Sequence, residues 1–277
     1  MFGFNIFLRL LVVALLFGST VAQANMFPHR EKFNDVPVIE IGAFRQTMGT
    51  VTIIDVRSKY EYETLHIKGA INIPLTSIDF GKLVREIQNA DKNKIVFYCN
   101  GGKCKKSYKA VRKAKNYGIT NTVAYDAGIY AWAQTYPEHS VLLGKNPMQA
   151  NEFIENKKFK SRLINAKTFE AKRRSGAQVL DIRDRIQRDT QLFPSEEERA
   201  ELKDIDRITK IIKVTKRKGK ALLVYDKVGK QIRWFQYLLE KHKVKNYYFM
   251  KGGSEGYYEE RLGKFRIDPS IVNGTAS

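Results

Sequence analysis

Apolar residues in this chain fall in short runs, and the runs return in the same order further along. Val38-Ile39-Glu40-Ile41-Gly42-Ala43-Phe44 leads to Val51-Thr52-Ile53-Ile54-Asp55-Val56-Arg57. Later, Leu163-Ile164-Asn165-Ala166-Lys167-Thr168-Phe169 leads to Val179-Leu180-Asp181-Ile182-Arg183. Each half then reaches a second apolar run, Ile95 to Tyr98 in the first and Ala221 to Tyr225 in the second. A wholly apolar run of this length reads as a strand buried on both faces of a parallel sheet. From Ser107, the residues Ala110, Val111, Ala114 and Tyr117 recur at helical spacing, and Gly118 suits a helix end. Each half closes on glycine and spaced aromatics, Gly128 to Trp132 and then Gly252 to Tyr257. The pattern predicts a duplication of one α/β unit, with parallel sheets and crossover helices in both halves.

Composition adds limits. The 277 residues suffice for two domains with their own cores. The net charge is +20, spread along the chain with no basic arm, which predicts attraction of small anions and no nucleic-acid partner. Residues 1–24 read as a signal peptide: Arg9 precedes the apolar run Leu10–Phe17, and Val21-Ala22-Gln23-Ala24 offers cleavage after Ala24. The expected location is the periplasm or outside the cell, with a mature charge one lower, +19. Asn273-Gly274-Thr275 matches a glycosylation sequon in the tail, where a chance match is the plainer reading.

The chemistry concentrates at Cys99, where the apolar run ends. Asn100-Gly101-Gly102 permits a tight turn with inward amides, a helix follows, and Lys103, Lys105 and Lys106 add charge. These features predict a thiolate nucleophile at neutral pH; a buried structural cysteine is the plainer alternative. Cys104 is the only other cysteine. Two cysteines in one loop make neither a disulfide framework nor a zinc site, so no metal is expected. Cys104 reads either as a small apolar residue at the helix start or as a partner that resolves a persulfide or sulfenate on Cys99 as a disulfide.

Ile54-Asp55-Val56-Arg57, the stretch His66 to Pro74, the Tyr98-Cys99 loop and Gly128 to Trp132 resemble, in order, the signature blocks of rhodanese domains. Leu180-Asp181-Ile182-Arg183 and Gly252-Gly253 resemble the same family in diverged form. The resemblance implies two rhodanese-like domains, each a mainly parallel sheet flanked by helices. Their expected limits are 25–140 with the catalytic cysteine, a linker at 141–160, a degenerate domain at 161–270, and a tail at 271–277. It implies a sulfurtransferase or sulfur carrier that moves sulfane sulfur from thiosulfate or polysulfide through a Cys99 persulfide, with no cofactor. The acceptor would be a thiol or cyanide-type nucleophile, and a protein acceptor would dock on the second domain. The cysteine stands in the first domain, whereas tandem members usually keep it in the second, and the loop exceeds the usual six residues.

In that framework Cys99 is catalytic, and Asn100, Gly101, Gly102, Lys103, Cys104 and Lys105 form the cradle and anion contacts. Lys103 and Lys105 equally read as solvated surface lysines. Asp55 and Arg57 are expected to pair, Arg57 also with Glu61 or Glu63. His66 is expected to fix a loop and Trp132 to lie in the core. Asp226 stands where the second half would carry its cysteine, so that half is expected to be silent, with Asp184–Lys210 a charged insert. Two other classes compete: a phosphatase or arsenate-reductase type of oxyanion enzyme, since Lys105 follows Cys99 at Cys-x5-Arg spacing, and a non-catalytic binding module. Lysine lacks the planar fork that clamps an oxyanion, which weighs against the first.

Overall fold

The computed structural model describes residues 26–188 and 190–263. The expected signal peptide, the tail and the sequon lie outside the described residues. The chain divides into two compact units, Met1–Phe153 and Ile154–Ser277. The division falls inside the stretch expected as a linker, which holds a short strand at its start and a short helix at its end.

The first unit runs α1 (Ile41–Thr47), β1 (Val51–Asp55), α2 (Lys59–Thr64), β2 (Leu65–Ile67), β3 (Ile71–Asn72), α3 (Phe80–Ala90), β4 (Lys94–Tyr98), α4 (Lys106–Asn116), β5 (Thr122–Tyr125), α5 (Gly128–Thr135) and β6 (Ser140–Leu142). Four strands form a parallel sheet in the order β3-β1-β4-β5, and a parallel bridge from Val38 to Ala124 extends it past β5. β2 and β6 pair antiparallel to the side. The apolar run of β4 is buried from Ile95 to Tyr98, as a central parallel strand must be. Ser58 and Glu61 form a capping box at the start of α2. α4 ends before Gly118, whose φ of +76° supplies the left-handed cap. Trp132 is fully buried against Phe44 and Tyr125, a core residue as expected.

The second unit runs α6 (Asn156–Lys160), β7 (Leu163–Ile164), α7 (Ala166–Arg174), β8 (Gln178–Asp181), β9 (Glu197–Arg199), α8 (Ile205–Arg217), β10 (Leu222–Tyr225), α9 (Ile232–Lys241), β11 (Tyr247–Met250) and α10 (Gly253–Leu262). Its five strands are parallel in the order β7-β11-β10-β8-β9. Taken from the edge that enters first in sequence, this is the order of the first sheet: Val38, β5, β4, β1, β3. The insert expected at Asp184–Lys210 contributes β9, the strand that fills the place of β3.

In each sheet the chain leaves the strand next to one edge, β1 or β8, for that edge and returns on its other side. The carboxyl ends of β1 and β4 therefore diverge at a topological switch point, where open α/β sheets form a crevice. Asp55, Cys99 and Asp126 all follow or end strands at that edge of the first sheet.

Candidate active site

Cys99 follows β4 directly and is fully buried, while Cys104 is half-buried. The Cys104 amide donates to the Gly101 carbonyl at 2.7 Å, closing a turn that brings the chain back over Cys99. The Cys99 thiol lies 3.6 Å from the Cys104 carbonyl oxygen and 3.8 Å from Ser107 Oγ. The Ser107 amide also points at Cys99 from the first turn of α4, and both cysteines are reduced.

The two sulfurs differ in proton affinity, and in the direction opposite to the sequence expectation for Cys99. Burial pushes the Cys99 thiol well above its usual range, and its hydrogen bond to Cys104 adds to this. Cys104 is pulled down to about 6 by the hydrogen bond from Cys99, against burial, with the amides of Lys106 and Asn100 and the Lys106 charge assisting. The loop amides of Asn100 and Lys106 thus favour an anion at Cys104, while burial disfavours one at Cys99. Of the three lysines, Lys106 supplies charge here, whereas Lys103 and Lys105 are exposed. Nor do all the amides from Asn100 to Lys105 face the sulfur, since that of Cys104 is spent on Gly101.

A buried polar frame holds the loop from below. Arg57 Nη2 donates to Asp55 at 2.5 Å and to the Leu65 carbonyl at 2.6 Å, and both side chains of the pair are fully buried. The Arg57 Nη1 donates to Asn100 Oδ1 at 3.4 Å. Asn100 Nδ2 in turn donates to Glu61 Oε1 at 3.0 Å, so Glu61 reaches Arg57 through Asn100. Burial raises the Glu61 carboxyl, but Arg57, Lys106, Asn100 and Ser58 outweigh it and hold Glu61 below the usual carboxylate range. Glu63 pairs with Lys59 instead. His66 receives the role expected of it: Nδ1 is 2.7 Å from the Tyr62 carbonyl, and the ring stacks on Tyr62.

Gly128 supports the loop from the side. Its φ is +67°, and a Cβ there would stand 2.6 Å from the Cys99 carbonyl oxygen. The next amides, of Ile129 and Tyr130, donate to the carbonyls of Cys99 and Asn100 at 2.9 and 3.3 Å. Only glycine lets the start of α5 approach this closely.

Part of the surround was not legible in the sequence. Residues 27–36 fold over the loop: Phe27, Phe33 and Val36 are buried, and Phe33 stacks on Tyr108 with centroids 5.0 Å apart. Arg30 forks onto the buried Asp126 at 2.7 and 3.0 Å, and Tyr108 donates to the same carboxylate at 2.5 Å. The Met26 carbonyl lies against Gly102, leaving no room for a side chain there. His29 Nε2 sits 3.2 Å from the Lys103 carbonyl. The signal available was Phe27 and Phe33 flanking a charged run, too sparse to show a period.

The second unit carries the same frame around a different centre. Arg183 clasps Asp181 as Arg57 clasps Asp55, with Nη2 to Oδ2 at 2.9 Å. The Ile182 amide donates to Tyr225 as that of Val56 does to Tyr98, at 3.0 and 3.1 Å. Gly253, at φ +64°, faces Asp226 and Lys227, and the amides of Ser254 and Glu255 donate to their carbonyls at 2.8 and 3.0 Å. Where Cys99 would stand, the buried Asp226 carboxylate accepts from the amides of Gly229, Gln231 and Ile232. Burial outweighs these donors and raises its pKa. Among the described residues no cluster suited to a metal ion occurs.

Residues 42–135 match the family model described as rhodanese-like domain. Over 91 residues the chain is 29% identical to thiosulfate:glutathione sulfurtransferase of Saccharomyces cerevisiae, covering 30% of this chain and 64% of that one. Over 88 residues it is 38% identical to the HTH-type transcriptional regulator Rv0324 of Mycobacterium tuberculosis, covering 32% and 37%. The chain thus spans less than two thirds of either relative. Among solved structures, the human single-domain sulfurtransferase TSTD1 aligns with 36% of this chain and 96% of its own, at 25% identity and a TM-score of 0.30. The stretch that supplies Asp55, Arg57, Glu61, Cys99 and Cys104 is a rhodanese-like domain.

Proposed function

We propose that the first unit is a sulfurtransferase that takes sulfane sulfur from a small anionic donor onto Cys99 and passes it to a thiophilic acceptor. The observation that carries this reading is the pairing of Cys99 with Cys104 at the switch point. The buried Cys99 thiol lies 3.6 Å from the Cys104 carbonyl oxygen, and the amides of Asn100 and Lys106 favour the anionic form of the Cys104 thiol in the same loop. Transfer of the Cys99 proton to Cys104 makes Cys99 the nucleophile. Attack on the outer sulfur of thiosulfate forms a Cys99 persulfide and expels sulfite with the electron pair of the broken S–S bond. The outer sulfur of that persulfide, an anion, takes over the amides of Asn100 and Lys106 from Cys104.

The yeast relative's name supports a thiosulfate donor and a thiol acceptor. The oxyanion-enzyme alternative loses ground because Lys105 is exposed and no arginine lies between Cys99 and Ser107. The second unit, on this reading, is a degenerate rhodanese-like domain, supported by its matching strand order and its Asp181–Arg183 clasp. Export belongs to the same reading and rests on the run Leu10–Phe17 before Ala24. The test is sulfite release when reduced protein meets thiosulfate. Wild type should release it, Cys99→Ser should not, and equal release from both removes Cys99 as the sulfur acceptor.

A further inference from the structure

Cys104 has no assigned part in simple sulfur transfer, yet it occupies the centre of the loop. Its sulfur takes the amides of Asn100 and Lys106, and its backbone is bent back by the bond from its own amide to Gly101. The Cys99 sulfur lies 3.6 Å from the Cys104 carbonyl oxygen, so the loop folds the second cysteine back beside the first. Cys99, by contrast, is fully buried, which shields a persulfide formed there from bulky acceptors. The nearest nucleophile to that persulfide belongs to the protein itself.

Building on the sulfurtransferase reading, we infer that Cys104 resolves the Cys99 persulfide, so that the unit releases sulfane sulfur as hydrosulfide and ends as a Cys99–Cys104 disulfide. Cys104 first receives the Cys99 proton, as above. Its sulfur then attacks Cys99 Sγ, forming the Cys99–Cys104 bond and breaking the bond from Sγ to the outer sulfur. The outer sulfur leaves with that electron pair and the Cys104 proton as HS⁻. The two cysteines are oxidised by two electrons, and the sulfane sulfur is reduced by the same two. With thiosulfate as donor the products are one sulfite, one hydrosulfide and the disulfide. A further turnover needs a dithiol reductant, which exchanges with the disulfide and is itself oxidised.

The loop geometry favours this outcome over storage of the persulfide. Disulfide closure requires the two Cα atoms to approach within about 7 Å, and the Gly101–Cys104 turn bends the chain back so that the Cys104 carbonyl lies 3.6 Å from the Cys99 sulfur. Gly101 and Gly102 give that turn its adaptability.

The experiment is a single turnover of fully reduced wild type and Cys104→Ala with excess thiosulfate and no added thiol. The readouts are sulfite, sulfide and intact mass after alkylation. Wild type should give about one equivalent each of sulfite and sulfide and a chain two hydrogens lighter, resistant to alkylation. Cys104→Ala, deprived of the group that takes the Cys99 proton, should release sulfite more slowly, without sulfide, and end one sulfur heavier, giving sulfide only on addition of dithiothreitol. Cys104→Ser, closer in size, should behave as Cys104→Ala. If wild type releases sulfite and keeps the extra sulfur as the variants do, resolution by Cys104 is overturned while the sulfurtransferase reading stands. If no protein releases sulfite, both fall.

Discussion

The loop after β4 and the loop after β10 are built on one frame and hold opposite things. In both, an aspartate–arginine pair ends the neighbouring strand, a left-handed glycine presses on the loop, and two amides after it bind the loop carbonyls. The Cys99 loop reaches α4 at Lys106 and directs amides at a sulfur that can gain and lose a proton. The Asp226 loop is shorter, reaching α9 at Ile232, and its amides close on a carboxylate that is covalently part of the loop. An anion cradle filled by its own side chain has no room for a second anion and no atom that can accept sulfane sulfur. The difference teaches that both loops turn amides towards an anion, and the residue at the strand end decides whether the loop's own carboxylate already fills the cradle.

The sharpest way to break that comparison is to copy the second centre into the first. Cys99→Asp should fold, with its carboxylate taking the loop amides, and lower sulfite release from thiosulfate by at least about 1,000-fold. Retention of substantial release would show that the strand-end residue is not the deciding one.

Emptying the second cradle comes next in size. Asp226→Ala leaves the amides of Gly229, Gln231 and Ile232 without their acceptor and should destabilise the second unit by roughly 3 kcal/mol. Added thiosulfate should recover part of the lost Tm in Asp226→Ala and leave wild type unmoved. An equal shift in both proteins would mean that the cradle does not bind the anion.

The shared glycines separate structure from chemistry. Gly128→Ala and Gly253→Ala each force a Cβ into a left-handed position against loop backbone, at a cost of about 2 kcal/mol measured by denaturant unfolding. Only Gly128→Ala should also lower kcat/KM for sulfur transfer, by about 10-fold, because only its loop carries the sulfur. Matching losses of activity would tie the second unit to the reaction.

Thiol titration sharpens the first loop itself. The Cys104 pKa is lowered, so its thiolate is present above pH about 6 and is lost below it. Iodoacetamide labelling of Cys104 should therefore fall about 10-fold per pH unit below that point and level off above it. Cys99 in Cys104→Ala should label only at alkaline pH, since burial remains the dominant influence on it. Labelling of Cys104 that rises only above pH about 8 would remove the amide-held thiolate.

The smallest effect concerns Lys103 and Lys105. Both are exposed, so replacing the two with Gln should lower kcat/KM by only about 3-fold at low salt and less at high salt. A large loss independent of ionic strength would make them direct contacts.

Local rules were enough for the frame. The buried strand at Ile95–Tyr98, the helix closed by Gly118, the position of Cys99 at a strand end, the Asp55–Arg57 pair and the core Trp132 all follow from runs, spacing and turn chemistry. These depend on neighbours within a few residues, where side-chain period and backbone freedom act directly. The protonation of the loop was not legible in the same way. Lysines and glycines around Cys99 favour an anion, but which sulfur holds it depends on burial and on where the chain returns, and both are set by contacts across the fold. The link from Glu61 through Asn100 to Arg57 spans 39 residues of sequence at its first step and 43 at its second. Arg30 reaches Asp126 across 96. Pairings of that separation carry no periodic signal, and only the assembled sheet, with β1, β4 and β5 side by side, brings them to one edge.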